Sequence, residues 1–291
     1  NEIEEVLINK AREGVEIRII YDGFGSSNLN PARLDKWEEA GIKVFPFMPV
    51  KLPIISDRLN YRDHRKIIVI DGKIGFVGGI NISDRYDNRL NENKFWRDTS
   101  IKIEGEAVRS LQVAFIFNWY FVSEEFLNDN KKYFPELNIE NFCPLQIAVS
   151  GPDSNWGYIM NCIFSAINTA EHCIRITTPY FIPSESILTA LINASLSGVN
   201  VEMLIPARGD SKAVQFAMES YIEELLDAGI KIYRYKKGFV HAKTITVDGI
   251  FSMVGTTNMD VRSFDYNFEV SALIYDEKIC KNLDIQFNDD L

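Results

Sequence analysis

The sequence is short of histidine, with three in 291 residues. Its four cysteines, Cys143, Cys162, Cys173 and Cys280, show no CxxC spacing and no histidine at metal-ligand distance. That usage excludes a disulfide scaffold and argues against a structural zinc; the thiols read as reduced and mostly buried. No apolar run here is long enough to span a bilayer, and no signal peptide is expected within these residues. Basic residues are outnumbered 31 to 41, for a formal net charge of −10. The broad basic footprint of non-specific nucleic-acid binding is therefore missing, and no nucleic-acid partner is expected. An anionic substrate would have to be met by a few well-placed cations.

Against that background one stretch stands out, His64 to Asn81. His64 and Lys66 stand two apart at the start of a β-branched run. On a strand this spacing would put imidazole and ammonium on one face. Asp71-Gly72 reads as a turn, and Gly78-Gly79-Ile80-Asn81 lets the backbone come close to whatever the imidazole faces. A single such pattern is weak evidence, since a lone histidine near a strand is usually structural. This one recurs: His241, Lys243, Asp248, Gly255 and Asn258 repeat His64, Lys66, Asp71, Gly78 and Asn81 at a constant offset (241 − 64 = 258 − 81 = 177).

The repeat extends through the chain. Residues 6–15 match 190–199 (offset 184), and residues 40–45 match 228–233 (offset 188). Each half alternates helices and strands, which predicts an α/β fold with a partly parallel sheet and two domains, residues 1–140 and 141–291. Helices are expected over 2–12, 31–40, 105–122 and 156–169, and strands over 15–21, 41–45 and 174–178, with a polar linker at 123–141. Residue 1 aligns with residue 185, so the first half lacks counterparts of the strand at 174–178 and the helix at 156–169. The chain is therefore expected to begin inside its first domain, leaving that sheet a strand short with an exposed edge. Residues 45–55, with Phe47, Met48, Val50, Leu52, Ile54 and Ile55 beside Lys51, suit an exposed interfacial lipid contact or a loop folded onto its own domain. Residues 108–122, rich in aromatics, read as a core helix, and His172 as a surface residue.

Two half-sites of histidine, lysine and asparagine can close on one phosphodiester. One imidazole would attack phosphorus to give a phosphohistidine while the other serves as acid and then base. Lys66 and Lys243, with Asn81 and Asn258, would hold the non-bridging oxygens. A nucleophilic imidazole needs a carboxylate on its other nitrogen; Asp98 and Glu269, downstream of the two motifs on expected strands, are the candidates. No metal or other cofactor is expected, because lysines and amides supply the positive field.

The duplicated His-x-Lys-x4-Asp pattern, His64-Lys66-Asp71 and His241-Lys243-Asp248, resembles the signature of the phospholipase D superfamily. The stretches 63–66, 79–81, 95–99, 150–154, 178–183, 241–244 and 259–264 further resemble bacterial cardiolipin synthases. The resemblance implies two tandem α/β sandwich domains related by a pseudo-twofold, the first truncated at its N-terminus, with both histidines, lysines and aspartates of the motif in the catalytic set. It implies transfer of a phosphatidyl group between two phosphatidylglycerols with release of glycerol, at an anionic phospholipid membrane. It also implies a bacterial cell-membrane enzyme whose N-terminal hydrophobic helices lie outside this soluble piece. The usual Gly-Ser after the motif is Gly78-Gly79 in one half and Gly255-Thr256 in the other, so one hydroxyl contact is lost. The superfamily's order would make His64 the nucleophile and His241 the acid and base, although the sequence itself is nearly symmetric. Two other readings stay open: a phosphodiesterase acting on lipid or nucleic acid, and an inactive lipid-binding module.

Overall fold

The computed structural model describes residues 2–49, 60–90, 95–140 and 142–291. The first half runs α1 (Glu2–Arg12), β1 (Arg18–Asp22), α2 (Pro31–Glu39), β2 (Lys43–Phe47), β3 (Arg62–Asp63), β4 (Ile67–Ile70), β5 (Ile74–Gly78), β6 (Phe95–Arg97), β7 (Ser100–Glu104), α3 (Ala107–Ser123) and α4 (Asn130–Tyr133). The second half opens β8 (Leu145–Ser150), α5 (Tyr158–Asn168), β9 (Cys173–Thr177), β10 (Phe181–Ile182), α6 (Glu185–Leu196), β11 (Asn200–Pro206), α7 (Lys212–Asp227) and β12 (Lys231–Tyr235). It closes with β13 (Gly238–Val240), β14 (Thr244–Val247), β15 (Phe251–Gly255), β16 (Met259–Asp260), α8 (Val261–Asp265), β17 (Asn267–Tyr275) and α9 (Glu277–Asp290).

Local chemistry sets these boundaries. Asn30 caps α2 by accepting from the Ala32 amide, and Pro31 occupies the first helical position, where a missing N–H costs nothing. Gly14 and Gly198 take positive φ, 94° and 98°, directly after α1 and α6, the left-handed exit that glycine makes without strain. The expected helices and strands appear within a few residues of their predicted limits. The stretch read as polar linker holds one short helix, α4.

The second half forms a mixed sheet in the order β12-β11-β9-β14-β15-β17, with β8 also paired to β17. Strand β17 is buried at eight of its nine positions; Asn267, Glu269 and Ser271 alternate with apolar residues in its first part, so one buried face carries polar groups and the other packs into the core. Helices α5, α6 and α7 cover this sheet, and Ile163, Ile176, Phe181, Leu191, Met203 and Leu225 fill the core between. A second core joins the halves: Val77, Ile103 and Leu111 pack with Val254, Val270 and Leu283. Each such fully buried side chain contributes roughly 1.5–3 kcal/mol relative to exposure, so the halves are held by a shared apolar interior.

The first half reproduces this plan in two pieces. Strands β1 and β2 form a parallel pair, and β4-β5-β7 form a separate three-stranded sheet. In the second half β9 joins β11 to β14; among the described residues no strand does so between β1 and β4. Ile68 and Ile70 on the resulting β4 edge are each 46% exposed. The edge expected from the repeat is present in this form.

Four expectations need correction. Phe47 ends β2 and is only 2% exposed, packed between Phe121 and Phe268; it is core and not part of an exposed apolar loop. Val50, Lys51, Leu52, Ile54 and Ile55 lie outside the described residues. Helix α3 buries Val108, Leu111, Ala114 and Trp119 as expected, but its outer face leaves Phe117, Tyr120 and Phe121 exposed. Of the cysteines only Cys280 is buried and Cys143 is exposed, all four being free thiols. Finally, His64 and Lys66 do not lie within a strand. They sit between β3 and β4, as His241 and Lys243 sit between β13 and β14, where the chain leaves one pairing partner and joins another.

Candidate active site

That change of partner builds the site. Strand β3 of the first half pairs in parallel with the start of β17, Arg62 against Asn267 and Asp63 against Phe268. Strand β13 of the second half pairs in parallel with β6, Phe239 against Trp96 and Val240 against Arg97. The two pairings are equivalent under the repeat (62 + 177 = 239; 96 + 171 = 267). In each, the histidine amide then donates to the next carbonyl across the exchange: His64 N–H to Phe268 O at 3.0 Å and His241 N–H to Arg97 O at 2.7 Å. The residue after each of those carbonyls is a carboxylate. Register alone therefore delivers a carboxylate from one half to the imidazole of the other.

The side chains meet accordingly. His64 Nδ1 lies 2.8 and 2.9 Å from the two carboxylate oxygens of Glu269. His241 Nδ1 lies 2.8 Å from Asp98 Oδ2. An Nδ1–H donated to a carboxylate leaves Nε2 as the free nitrogen of a neutral ring, the form needed for attack or for taking a proton. Burial lowers the pKa of His64, opposed by Glu269, and the side chain keeps a quarter of its surface open. His241 is buried, and desolvation, followed by the charges of Lys243 and Lys66, holds its pKa well below the ordinary value. His64 is a further cause of that depression, so the two imidazoles act on each other.

Lys66 Nζ donates to His64 O at 2.7 Å and Lys243 Nζ to His241 O at 2.5 Å. Each ammonium keeps further protons for an anion. Burial lowers Lys66 to about 8 and Lys243 to about 7, with Glu269 and Asp98, respectively, the leading opposing charges. Asn258 is buried, and its Oδ1 has no hydrogen-bond partner among the described residues. Asn81 is committed: its Nδ2 donates to the Tyr86 phenol at 2.6 Å.

The half-sites differ in how their carboxylates are held. Glu269 is fully buried yet takes two donors besides His64, the Thr256 hydroxyl and Asn267 Nδ2. Burial would raise its pKa, but His64, Lys66 and Thr256 outweigh this and keep it low. Asp98 accepts the Thr99 amide at 2.8 Å, and burial, opposed by Lys243, pushes it up to about 6. Gly79 stands where Thr256 stands in the second half; a Cβ there would collide with Asp98 Oδ1. Thr256, Asn267 and Tyr86 were not in the expected set. Only the Gly-Thr departure from the usual Gly-Ser signalled the first.

The motif aspartates stand apart from the imidazoles. Asp71 and Asp248, expected in the catalytic set, lie across β4 and β14 from the histidines. With Gly72 and Gly249 they take positive φ, 53° and 63°, 52° and 73°, the primed hairpin turn that aspartate and glycine tolerate. Asp248 also accepts the amides of Glu171, His172 and Cys173 at 2.7–2.8 Å, anchoring the start of β9. His172 itself is exposed, as expected.

A duplicated α/β frame that sets two imidazole–carboxylate pairs and two lysines together has the form of a phospholipase D-like domain. The chain belongs to the family described as "Cardiolipin synthase, PLD-like domain", whose model matches residues 1–116 and 163–291. It is 44% identical over 291 residues to cardiolipin synthase 2 of Bacillus anthracis, covering 100% of this chain and 57% of that protein. It is 48% identical over 278 residues to a cardiolipin synthase of Geobacillus kaustophilus, covering 94% of this chain and 55% of that protein. The chain thus spans just over half the length of these curated relatives. Among solved structures, the phosphatidylserine synthase of Haemophilus influenzae superposes with a TM-score of 0.65 at 15% identity, over 99% of this chain and 83% of that one, a likeness of fold.

If Asp248 is an anchor, Asp248→Ala lowers unfolding stability by roughly 1.5–3 kcal/mol, the range for hydrogen bonds to a charged group. The turnover of the folded fraction stays unchanged. Chemical denaturation and active-site-normalised kcat check this; a lost kcat at unchanged stability would return Asp248 to the chemistry.

Proposed function

We propose that this chain carries the catalytic unit of a phosphatidyl transferase that makes cardiolipin from two phosphatidylglycerols and releases glycerol. The carrying observation is the crossed pair of imidazole–carboxylate contacts with Lys66 and Lys243 beside them. The names of the relatives support the lipid substrate.

In the first step His64 Nε2 attacks phosphorus of the donor lipid. The bond from phosphorus to the glycerol oxygen breaks, and His241 gives its proton to the departing alkoxide. The pKa of His241 is low in the empty site. An arriving phosphodiester anion offsets the lysine charges that depress it and draws a proton onto the ring. In the second step His241 takes the proton from the terminal hydroxyl of the acceptor lipid. That oxygen attacks phosphorus, the phosphorus–nitrogen bond breaks, and His64 is restored. One phosphodiester replaces another, so no nucleotide is consumed. Glu269, kept ionised by its donors, suits the imidazole that must become a phosphorylated cation, which supports His64 as the nucleophile. The lysine protons and the Asn258 amide would hold the non-bridging oxygens, where loss of one donor typically costs about 3–4 kcal/mol of barrier. Asn81 serves through Tyr86 in this reading. The division at residues 140 and 141 is retained for the two phospholipase D-like domains, with the strand exchange across it.

The full-length protein, given phosphatidylglycerol in mixed micelles with EDTA, is expected to form cardiolipin and glycerol in equal amounts. His64→Ala and His241→Ala should each lower the rate by roughly 10²–10⁴-fold. Phosphatidic acid as the sole product would make it a hydrolase, and rates unchanged in both variants would remove the histidines from the chemistry.

Activity should follow a bell in pH. Asp98 takes up a proton below about 6 and ceases to anchor His241 as an anion. Lys243 loses its charge above about 7 and Lys66 above about 8, weakening the positive field. The limbs belong to the coupled set. Asp98→Asn should abolish the acid limb in kcat/KM; a flat wild-type profile across this window contradicts the assignment.

A further inference from the structure

The duplicated frame diverges most around the two histidines. His241 is walled by Tyr86 and Trp96, each with its ring centroid 5.4 Å from the imidazole and nearly perpendicular, and by Phe239 at 6.1 Å. Under the repeat these rings correspond to Ser263 (86 + 177), Asn267 (96 + 171) and Arg62 (239 − 177) on the His64 side. The second half thus faces an aromatic wall where the first half faces small and polar groups.

A carboxylate stands at the rim of that wall. Tyr180 leans on Phe239 at 6.4 Å, and its phenol donates to Asp210 Oδ2 at 2.6 Å. The parallel pairing of β10 with β16, Phe181 against Met259, places Tyr180 one residue back, alongside Asn258. Asp210 is exposed, and among the described residues its Oδ1 takes no hydrogen bond. Burial pushes Tyr86 up to about 12 and Tyr180 higher still, so both phenols stay protonated donors. Asp210 is a further cause in each case, which sets all three groups within electrostatic reach.

We propose that Asp210, Tyr180 and Tyr86, with Trp96 and Phe239 behind them, form the alcohol subsite, gripping the vicinal hydroxyls of a glycerol headgroup beside His241. A carboxylate accepts from two adjacent hydroxyls at once, and ring faces take the carbon-bound hydrogens of a polyol. The position is the one the chemistry requires. The group that protonates a leaving alkoxide and deprotonates an incoming alcohol must touch both oxygens, so leaving glycerol and acceptor headgroup share its surroundings. Two ammonium groups, Lys66 and Lys243, already stand at the site and work against a cationic headgroup. This inference rests on the transferase reading and on His241 as its acid and base.

The test is an internal competition on the full-length protein, with phosphatidylglycerol as donor and equimolar 1,2-propanediol, 1-propanol and ethanolamine as acceptors. Wild-type protein should favour the diol over the monoalcohol. Asp210→Asn should cut that ratio by about tenfold and shift product toward phosphatidic acid. Tyr180→Phe, which keeps the ring, should move the ratio in the same direction by less. Product ratios are independent of total activity, so a partly impaired variant still reports. An unchanged ratio in Asp210→Asn, while cardiolipin is still made, overturns the subsite and leaves the transferase reading standing. A wild-type preference for ethanolamine overturns it also. A wild-type protein that makes phosphatidic acid and transfers to no alcohol overturns both.

Discussion

The structure depends on two short parallel strand pairs that cross between the halves. Each is two or three residues long and contributes few hydrogen bonds. Yet each fixes the register in which a histidine amide meets the carbonyl preceding a carboxylate in the other half. A slip of one residue would turn the carboxylate to the opposite face and leave the imidazole unoriented. Neither half contains a complete imidazole–carboxylate pair. The apolar core shared by Val77, Leu111, Val254 and Val270 keeps the halves in place and therefore carries functional as well as stabilising weight.

On this symmetric frame the two half-sites have diverged in charge and surroundings. Three side chains donate to Glu269, and it stays ionised in the interior. Asp98 is shorter, has Gly79 where the other half has Thr256, and sits near the point of taking up a proton. His64 keeps an open face, whereas His241 is enclosed by aromatic rings. On the proposed mechanism, two chemically equal motifs thereby become an imidazole suited to holding phosphorus and one suited to moving a proton beside an alcohol.

The sequence made much of this legible because duplication leaves a signal that a single motif does not. The constant offset of 177 located both histidines and both lysines, and the alternation of elements indicated the α/β class. It could also place Asp98 and Glu269 near the chemistry, since both follow their motifs on expected strands. The crossing was hidden: β3, β6 and β13 are too short to show a period of two, and pairing between halves leaves no local trace. The motif aspartates sit in turns, a conformational role that a motif does not distinguish from a chemical one. Asp71 and Asp248 both occupy a turn with positive φ. Tyr86, Tyr180 and Asp210 were invisible for another reason, lying on separate elements that only the fold brings together.

The claim that the halves exchange carboxylates is tested most directly by the imidazole nitrogens themselves. In protein labelled with ¹⁵N-histidine, each Nδ1–H bonded to a carboxylate gives a distinct downfield proton and nitrogen signal. Glu269→Gln should move the His64 signal and leave His241 in place, and Asp98→Asn should do the reverse. Should each substitution instead disturb the histidine of its own half, the crossed pairing is wrong, and the mechanism built on it falls with it.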